Sequence, residues 1–99
     1  RIIATVVQML VNVIDFDMGV IEANDAPRIF CQKFDDYLHL ENRIPEAVQA
    51  GLNKKGHSLR VHGDYDLFFG GVQMIFIDPV TGKLYGSADI RRGGSALGF

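Results

Sequence analysis

Hydrophobic residues dominate the first fifteen positions of the chain, and the few polar ones recur at helical spacing. At roughly 100° per residue the polar side chains share an arc of about 80°; they are Arg1, Thr5, Gln8, Asn12 and Asp15. The pattern predicts a core helix that must be covered on several sides. No Ser, Thr, Asp or Asn precedes it as a cap, and the remaining residues offer little cover. We therefore expect further sequence before Arg1 to supply the cap.

Periodicity and helix-breaking residues predict five further elements. In chain order they are a short helix through about Asn24 ended by Pro27, a strand at 37–41, a helix whose first residue is Pro45 and whose end is marked by Gly56, a strand at 58–62, and a β-hairpin at 71–89. The first hairpin strand is apolar on both faces, which is typical of a strand inside a covered sheet. The order of elements predicts an α+β or layered architecture.

Length, charge and composition restrict the possible partners. The 99 residues are 47% hydrophobic, which suits a single segment or small domain, and the net charge of -2 comes without a basic run. We therefore expect no nucleic-acid or anionic-lipid partner. The longest apolar stretch, Ile2–Ile14, is shorter than the roughly 20 residues of a membrane span. The single cysteine, Cys31, excludes an internal disulfide.

Four residues are candidates for nucleophilic or metal chemistry. Cys31 and His39 form a possible thiol–base pair, but free cysteine is more often a small buried hydrophobe, and we expect that here. His57 and His62 flank a predicted strand on opposite faces, so we expect surface histidines that share no metal ion. The residue types alone therefore predict no cofactor and no metal site.

The stretch "EANDAPR" combines opposite charges with a rigid bend. Asp25 and Arg28 lie on either side of Ala26-Pro27, where proline fixes the backbone. An acid and a guanidinium in this arrangement can lock the turn through charge-assisted hydrogen bonds. From the residues alone, this pair is predicted to be structural.

Two longer patterns carry a family resemblance. "RII.TV.Q.L.NVIDF.M" with "EA.DAPR", followed much later by "LYG..D.RRGG.A.GF", resembles the C-terminal part of the small subunit of γ-glutamyltranspeptidases. The resemblance runs over residues 1–99. Its specific parts are the two ends, because residues 30–71 contribute only the right order of elements.

The resemblance implies an N-terminal nucleophile hydrolase, built as a four-layer αββα sandwich of which this chain would be the C-terminal part. Such a proenzyme cleaves itself and exposes a threonine that attacks γ-glutamyl amides, far upstream of this segment. Glycines directly before Arg1 would form the oxyanion hole, where a helix N-terminus also favours negative charge. The resemblance therefore implies no catalytic residue, cofactor or metal here, with Arg1, Asp25, Arg28 and Arg91 structural and near the site. The implied partners are the remainder of the same enzyme and a γ-glutamyl small molecule.

Departures from the family pattern leave the donor substrate open. Residues 29–31 replace the usual Phe and His after "DAPR", and Ile90 replaces a common proline. A relative that cleaves cephalosporin side chains or poly-γ-glutamate would keep the same scaffold. Two alternatives are a free-standing α+β binding or interaction module without catalysis, and a thiol enzyme that uses Cys31.

Overall fold

The computed structural model describes residues 2–98, so Arg1 lies outside the described residues. The elements, in chain order, are α1 (Ile2–Ile14), α2 (Val20–Asp25), β1 (Ile29–Phe30), β2 (Leu38–Glu41), α3 (Glu46–Lys54), β3 (Leu59–His62), a 3₁₀ helix (Leu67–Phe69), β4 (Gln73–Ile77) and β5 (Leu84–Ala88). The predicted order of helices, strands and hairpin is confirmed. The sequence did not predict β1 or the 3₁₀ helix, and Pro45 is the N-cap of α3 rather than its first helical residue.

The strands form two small sheets. In the first, β1 pairs antiparallel with β2, and β2 pairs parallel with β3, with Leu40 opposite Val61. Parallel neighbours need a crossover connection, and α3 supplies it. In the second, β4 and β5 form the predicted antiparallel hairpin, with Ile75 opposite Gly86. Chain topology thus places the ends of β2 and β3 side by side.

Local chemistry accounts for the bounds of α3. Glu46 lies in its first turn and Lys54 in its last. Each side-chain charge is therefore opposite in sign to the end of the helix dipole beside it, which stabilises the helix. Gly56 follows with φ of 98°, a left-handed conformation that glycine adopts without a Cβ clash. The chain can therefore leave α3 sharply and enter β3.

The polar stripe of α1 faces the rest of this chain. Thr5 Oγ1 donates to the carbonyl of Phe69 at 2.9 Å. The Gln8 amide donates to the Ile29 carbonyl at 2.6 Å and accepts from the Ile29 N–H at 2.9 Å. The opposite, apolar side is exposed, and its exposed side chains are Ile2, Ile3, Val6, Val7, Leu10 and Ile14. Within this chain α1 is therefore not the enclosed core helix that its pattern predicts.

The chain exposes more surface than a compact protein of its mass. Its accessible area is 7007 Å², whereas a folded 11.0 kDa monomer exposes about 5,600 Å². The radius of gyration is 14.9 Å, against about 13 Å for a compact domain of this length. Both faces of the hairpin contribute, with Ile75 73% and Phe76 41% exposed. The predicted burial of both hairpin faces is thus not achieved by this chain alone.

Two further sequence expectations concern the surface. Cys31 is exposed, so the prediction of a small buried hydrophobe is wrong for this segment. It follows the two-residue strand β1, whose Phe30 side chain turns inward while its neighbours face outward. Within residues 2–98, no helix has the length and apolar character needed to cross a bilayer.

Candidate functional site

Two arginines and two carboxylates occupy the centre of the fold. Arg28 lies between α2 and β1, Glu41 ends β2, and Asp89 and Arg91 follow β5. All four are at most 5% exposed. Buried charges are costly unless they are paired and hydrogen-bonded. Here the two positive and two negative charges balance within the group, which we call the ionic network.

Arg91 is the most fully engaged member of the ionic network. Its Nε donates to Glu41 Oε2 at 2.7 Å, and its Nη2 donates to Glu41 Oε1, a two-pronged contact. Its Nη1 donates to Asp89 Oδ1 at 3.1 Å and to the Asn24 carbonyl at 2.9 Å. Nη2 also donates to the Ala26 carbonyl at 3.0 Å. All five N–H donors of a guanidinium therefore have acceptors.

Arg28 pairs with Asp89 and not with Asp25. Its Nη1 lies 2.7 Å from Asp89 Oδ2, and its Nη2 donates to Asn24 Oδ1 at 2.7 Å. The predicted Asp25–Arg28 lock is therefore wrong: Arg28 turns into the centre, whereas Asp25 lines a groove on the surface beside β5. Among the contacts of residues 2–98, Arg28 Nε is buried without a hydrogen-bond acceptor.

The two carboxylates also bind backbone N–H groups. Glu41 accepts from the N–H of Arg28 and from that of Asp66, each at 2.9 Å. Asp89 accepts from the N–H of Val72 at 2.8 Å and from that of Arg91 at 2.9 Å. The ionic network therefore ties separate chain segments together. Sequence reasoning missed Glu41 and Asp89, although Glu41 ends β2 and Asp89 directly follows β5.

Asn24 connects the ionic network to the hairpin. It is fully buried, and its Nδ2 donates to Ser87 Oγ at 2.9 Å and to the Val72 carbonyl at 3.1 Å. Its side-chain oxygen accepts from Arg28. Both ends of one amide are thus satisfied, which fixes α2 against β4 and β5.

The electrostatics favour the charged forms of Asp89 and Arg91. Burial alone raises the pKa of Asp89, but the N–H groups of Arg91 and Val72 and the Arg28 guanidinium outweigh it and hold that pKa below its ordinary value. Burial and the nearby Arg91 charge lower the pKa of Arg28. Burial also opposes the charge of Arg91, yet Glu41 and Asp89 outweigh it and raise the Arg91 pKa. This arrangement suits a fixed structural centre, because a general acid or base needs a pKa near the working pH.

A second cluster lies beside the ionic network. His39 Nδ1 is 2.8 Å from His62 Nε2, and His39 Nε2 is 2.7 Å from Asp35 Oδ2. The prediction that His62 is a surface histidine is therefore wrong, whereas His57 is exposed as predicted. The parallel pairing of β2 with β3 brings the two rings together. Within the described part of the chain, no group of three or more His, Cys, Asp or Glu side chains is placed to hold a metal ion.

Comparison with known proteins identifies a family. The family model described as Gamma-glutamyltranspeptidase matches residues 1–99. The glutathione hydrolase proenzyme of Escherichia coli (strain K12) is 37% identical over 91 residues, which are 92% of this chain and 15% of that protein. A crystal structure of acivicin-inhibited gamma-glutamyltranspeptidase has a TM-score of 0.81 at 35% identity, covering 91% of this chain and 47% of that chain.

An acylase shares the same architecture. The cephalosporin acylase of Bacillus halodurans has a TM-score of 0.79 at 32% identity, covering 88% of this chain and 16% of that chain. These structural matches confirm the predicted α+β class, as part of the αββα sandwich of N-terminal nucleophile hydrolases. The chain spans only 15% of the length of the Escherichia coli protein, so it corresponds to a segment of that relative. The chain belongs to the γ-glutamyltranspeptidase family.

Proposed function

We propose that this chain is the C-terminal scaffold segment of the catalytic domain of a γ-glutamyltranspeptidase-like enzyme. The complete enzyme would hydrolyse γ-glutamyl amides such as glutathione or transfer their γ-glutamyl group, through a threonine nucleophile outside this chain. The observation that carries the proposal is the family match over residues 1–99, together with relatives of which the chain spans a small part.

The physical character of the segment supports a scaffold role. Its charged centre binds backbone groups and keeps its own charges paired, as a rigid support requires. Its uncovered apolar surfaces are the outer side of α1 and the two faces of the hairpin. We propose that the upstream part of the small subunit and the large subunit cover them. In this arrangement Arg1, Asp25, Arg28 and Arg91 are structural residues near the catalytic centre and do not touch the reacting atoms.

A second candidate function concerns the acyl donor. The likeness to a cephalosporin acylase at 32% identity favours an enzyme that removes other acyl side chains with the same scaffold. Residues 29–31 and Ile90, which depart from the transpeptidase pattern, lie on this segment. The two functions differ only in the donor that the complete enzyme accepts.

Activity assays on the complete protein test both proposals. We expect release of product from a chromogenic γ-glutamyl anilide, and loss of that release when the upstream threonine is changed to alanine. Cleavage of a cephalosporin side chain without cleavage of the anilide would favour the acylase. Residues 1–99 alone should release no product from either donor. Turnover by this segment that disappeared on Cys31→Ala would refute the scaffold proposal and support a thiol enzyme.

A further inference from the structure

A hollow between α2 and the hairpin brings aromatic and acidic side chains together. Phe76 and Tyr85 are opposite each other in the hairpin, their ring centroids are 6.3 Å apart, and both rings are partly exposed. Glu22 of α2 and Asp78, which directly follows β4, line the same hollow with residues 19–21. Its volume of about 630 Å³ accommodates a long side chain. We call this feature the acidic hollow.

The acidic side chains of the hollow have no counter-charge in the described part of the chain. Among the ion pairs of residues 2–98, none includes Glu22 or Asp78. Hydrogen bonds from the N–H groups of Val80 and Thr81 lower the pKa of Asp78 and favour its ionised form. Negative charge therefore lies beside two aromatic rings, and no cation of residues 2–98 compensates it.

Tyr65 shows how this chain completes a similar combination of ring and carboxylate. The guanidinium carbon of Arg43 lies 3.8 Å from the centroid of the Tyr65 ring. Nη2 of the same guanidinium lies 3.5 Å from Glu41 Oε1, and its Nε donates to the Asp64 carbonyl at 2.8 Å. One arginine thus stacks on the ring and compensates the acid beside it.

Tyr37 repeats this arrangement next to β2. The guanidinium carbon of Arg60 lies 4.2 Å from the centroid of its ring. The N–H of Tyr37 contributes most to lowering the pKa of Asp35, and the Arg60 charge adds to that effect. The chain has three tyrosines, of which Tyr85 is the third. Within residues 2–98 no arginine or lysine lies over the Tyr85 ring, so it has neighbouring acids but lacks the arginine.

The chemistry of the acidic hollow fits a guanidinium better than other groups. An arginine side chain stacks on an aromatic face while its N–H donors reach carboxylates, and it loses hydration more readily than a lysine ammonium. An apolar occupant would cover Glu22 and Asp78 without supplying a partner, and a buried charge without a partner is costly. An acidic occupant would be repelled. Charge complementarity therefore specifies an arginine.

The arginines of residues 2–98 all contact groups of their own chain, so a second copy is a poor source; they are Arg28, Arg43, Arg60, Arg91 and Arg92. The chain spans 15% of the length of its Escherichia coli relative, and the hollow opens on a hairpin face that we propose the rest of the enzyme covers. We infer that the acidic hollow binds an arginine side chain from the part of the enzyme outside residues 1–99. This contact presupposes the proposed scaffold function.

A crystal structure of the complete protein tests the contact directly. We expect an arginine from outside residues 1–99 whose guanidinium carbon lies within about 6 Å of the Tyr85 ring centroid. One of its nitrogens should lie within about 4 Å of a Glu22 or Asp78 oxygen. An apolar side chain, a second copy or open solvent in the hollow would overturn the inference, and would leave the proposed function intact if the enzyme cleaves the γ-glutamyl anilide. A bound arginine in a protein inactive on both donors would support the contact and refute only the proposed reaction.

Charge reversal in the complete protein tests the contribution of the contact to stability. Glu22 and Glu46 lie in the first turns of α2 and α3, so changing either to lysine removes the same favourable charge at a helix N-terminus. Glu22→Lys should in addition repel the arginine. We therefore expect it to lower the melting temperature by at least about 3 °C more than Glu46→Lys does. Equal shifts for the two variants would overturn the inference.

Two changes at Tyr85 in the complete protein test the stacking. Tyr85→Phe keeps the ring and should leave the melting temperature nearly unchanged, whereas Tyr85→Leu removes the ring face and should lower it by at least about 2 °C. Equally small effects of both variants would overturn the inference. A loss on Tyr85→Leu combined with equal shifts for the two lysine variants would identify an apolar occupant and overturn it as well.

Discussion

Arg28 Nη1 lies 2.7 Å from Asp89 Oδ2, and both side chains are fully buried. Arg28 lies just before β1 and Asp89 just after β5, so the pair links two parts of the chain that are far apart in sequence. A buried pair contributes little beyond what well-packed apolar residues would, but removing one partner leaves an uncompensated charge. The importance of the pair for stability therefore lies in the free energy lost when one partner is removed.

The first prediction follows from that cost. Asp89→Asn in the complete protein should lower the free energy of unfolding by about 3 to 5 kcal/mol, because Arg28 and Arg91 would lose a shared counter-charge. Asp25→Asn is the matched control: Arg28 and Arg91 both pair with Asp89, so this change should cost markedly less. Denaturant unfolding measures both. Equal losses from the two variants would mean that Asp25 is the partner after all.

The second prediction concerns the shape of the Arg91 side chain. Arg91→Lys keeps the charge but has three donors in place of a planar fork, so at least one acceptor on Glu41, Asp89 or the backbone loses its partner. We expect a loss of about 1 to 3 kcal/mol in the free energy of unfolding. Arg92→Lys, at an exposed neighbouring position, should be nearly neutral. A neutral Arg91→Lys variant would show that the two-pronged contact with Glu41 contributes only its charge.

The sequence predicted local elements better than their partners. Helix periodicity, Pro45 and the turn at Asp78 mark boundaries that depend on nearby residues, and the structure confirms those elements. The partner of Arg28 could not be predicted in this way, because Asp89 meets it only after the hairpin packs on α2. Proximity along the chain favoured Asp25 instead.

The hydrophobic pattern also could not predict which face of a helix or strand is covered by other parts of the chain. The polar stripe of α1 was correctly placed on one side, but periodicity does not say whether that side meets water or protein. Thr5 and Gln8 in fact hydrogen-bond to this chain, while the apolar side is uncovered in it. Likewise, alternation placed His62 on a face of β3 but could not reveal its contact with His39, which lies on the neighbouring parallel strand, opposite Arg60.

A third prediction concerns acid and the hairpin turn. Asp78 accepts the N–H groups of Val80 at 2.8 Å and Thr81 at 3.3 Å, which lower its pKa in that order of importance. A carboxyl whose pKa is lowered on folding stabilises the protein above its unfolded pKa of about 3.9 and loses that effect as the pH falls through the folded value. The contribution of Asp78 should thus be complete at about pH 7, begin to fall near about pH 3.9 and be lost as the pH falls through the lowered folded pKa.

Two variants separate the charge of Asp78 from its hydrogen bonds. Asp78→Ala should lower the melting temperature at about pH 7, and the difference from the unmutated protein should shrink on acidification. Asp78→Asn keeps an acceptor oxygen that does not titrate, so its stability relative to the unmutated protein should rise as the pH falls. If the melting-temperature differences between each variant and the unmutated protein did not change with pH, the ionised Asp78 carboxylate would make no contribution to stability.

The last prediction concerns residues 1–99 as an isolated chain. This chain leaves apolar side chains on α1 and the hairpin uncovered. Its accessible area of 7007 Å² is larger than that of a compact monomer of the same mass. Since we propose that the rest of the enzyme covers these faces, the isolated chain should be loosely packed. It should bind a hydrophobic dye and show little near-ultraviolet circular dichroism while it keeps a helical far-ultraviolet signal.

The effect of one substitution on α1 should differ between the isolated chain and the complete protein. Leu10, on the outer side of α1, is 53% exposed in this chain, so Leu10→Ala should barely affect the isolated segment. In the complete protein the same change should cost about 2 to 5 kcal/mol in the free energy of unfolding, as for a buried leucine. Dye binding should disappear there as well, because the outer side of α1 would be covered. Cooperative unfolding of the isolated chain as a dye-negative monomer would instead support a free-standing binding module.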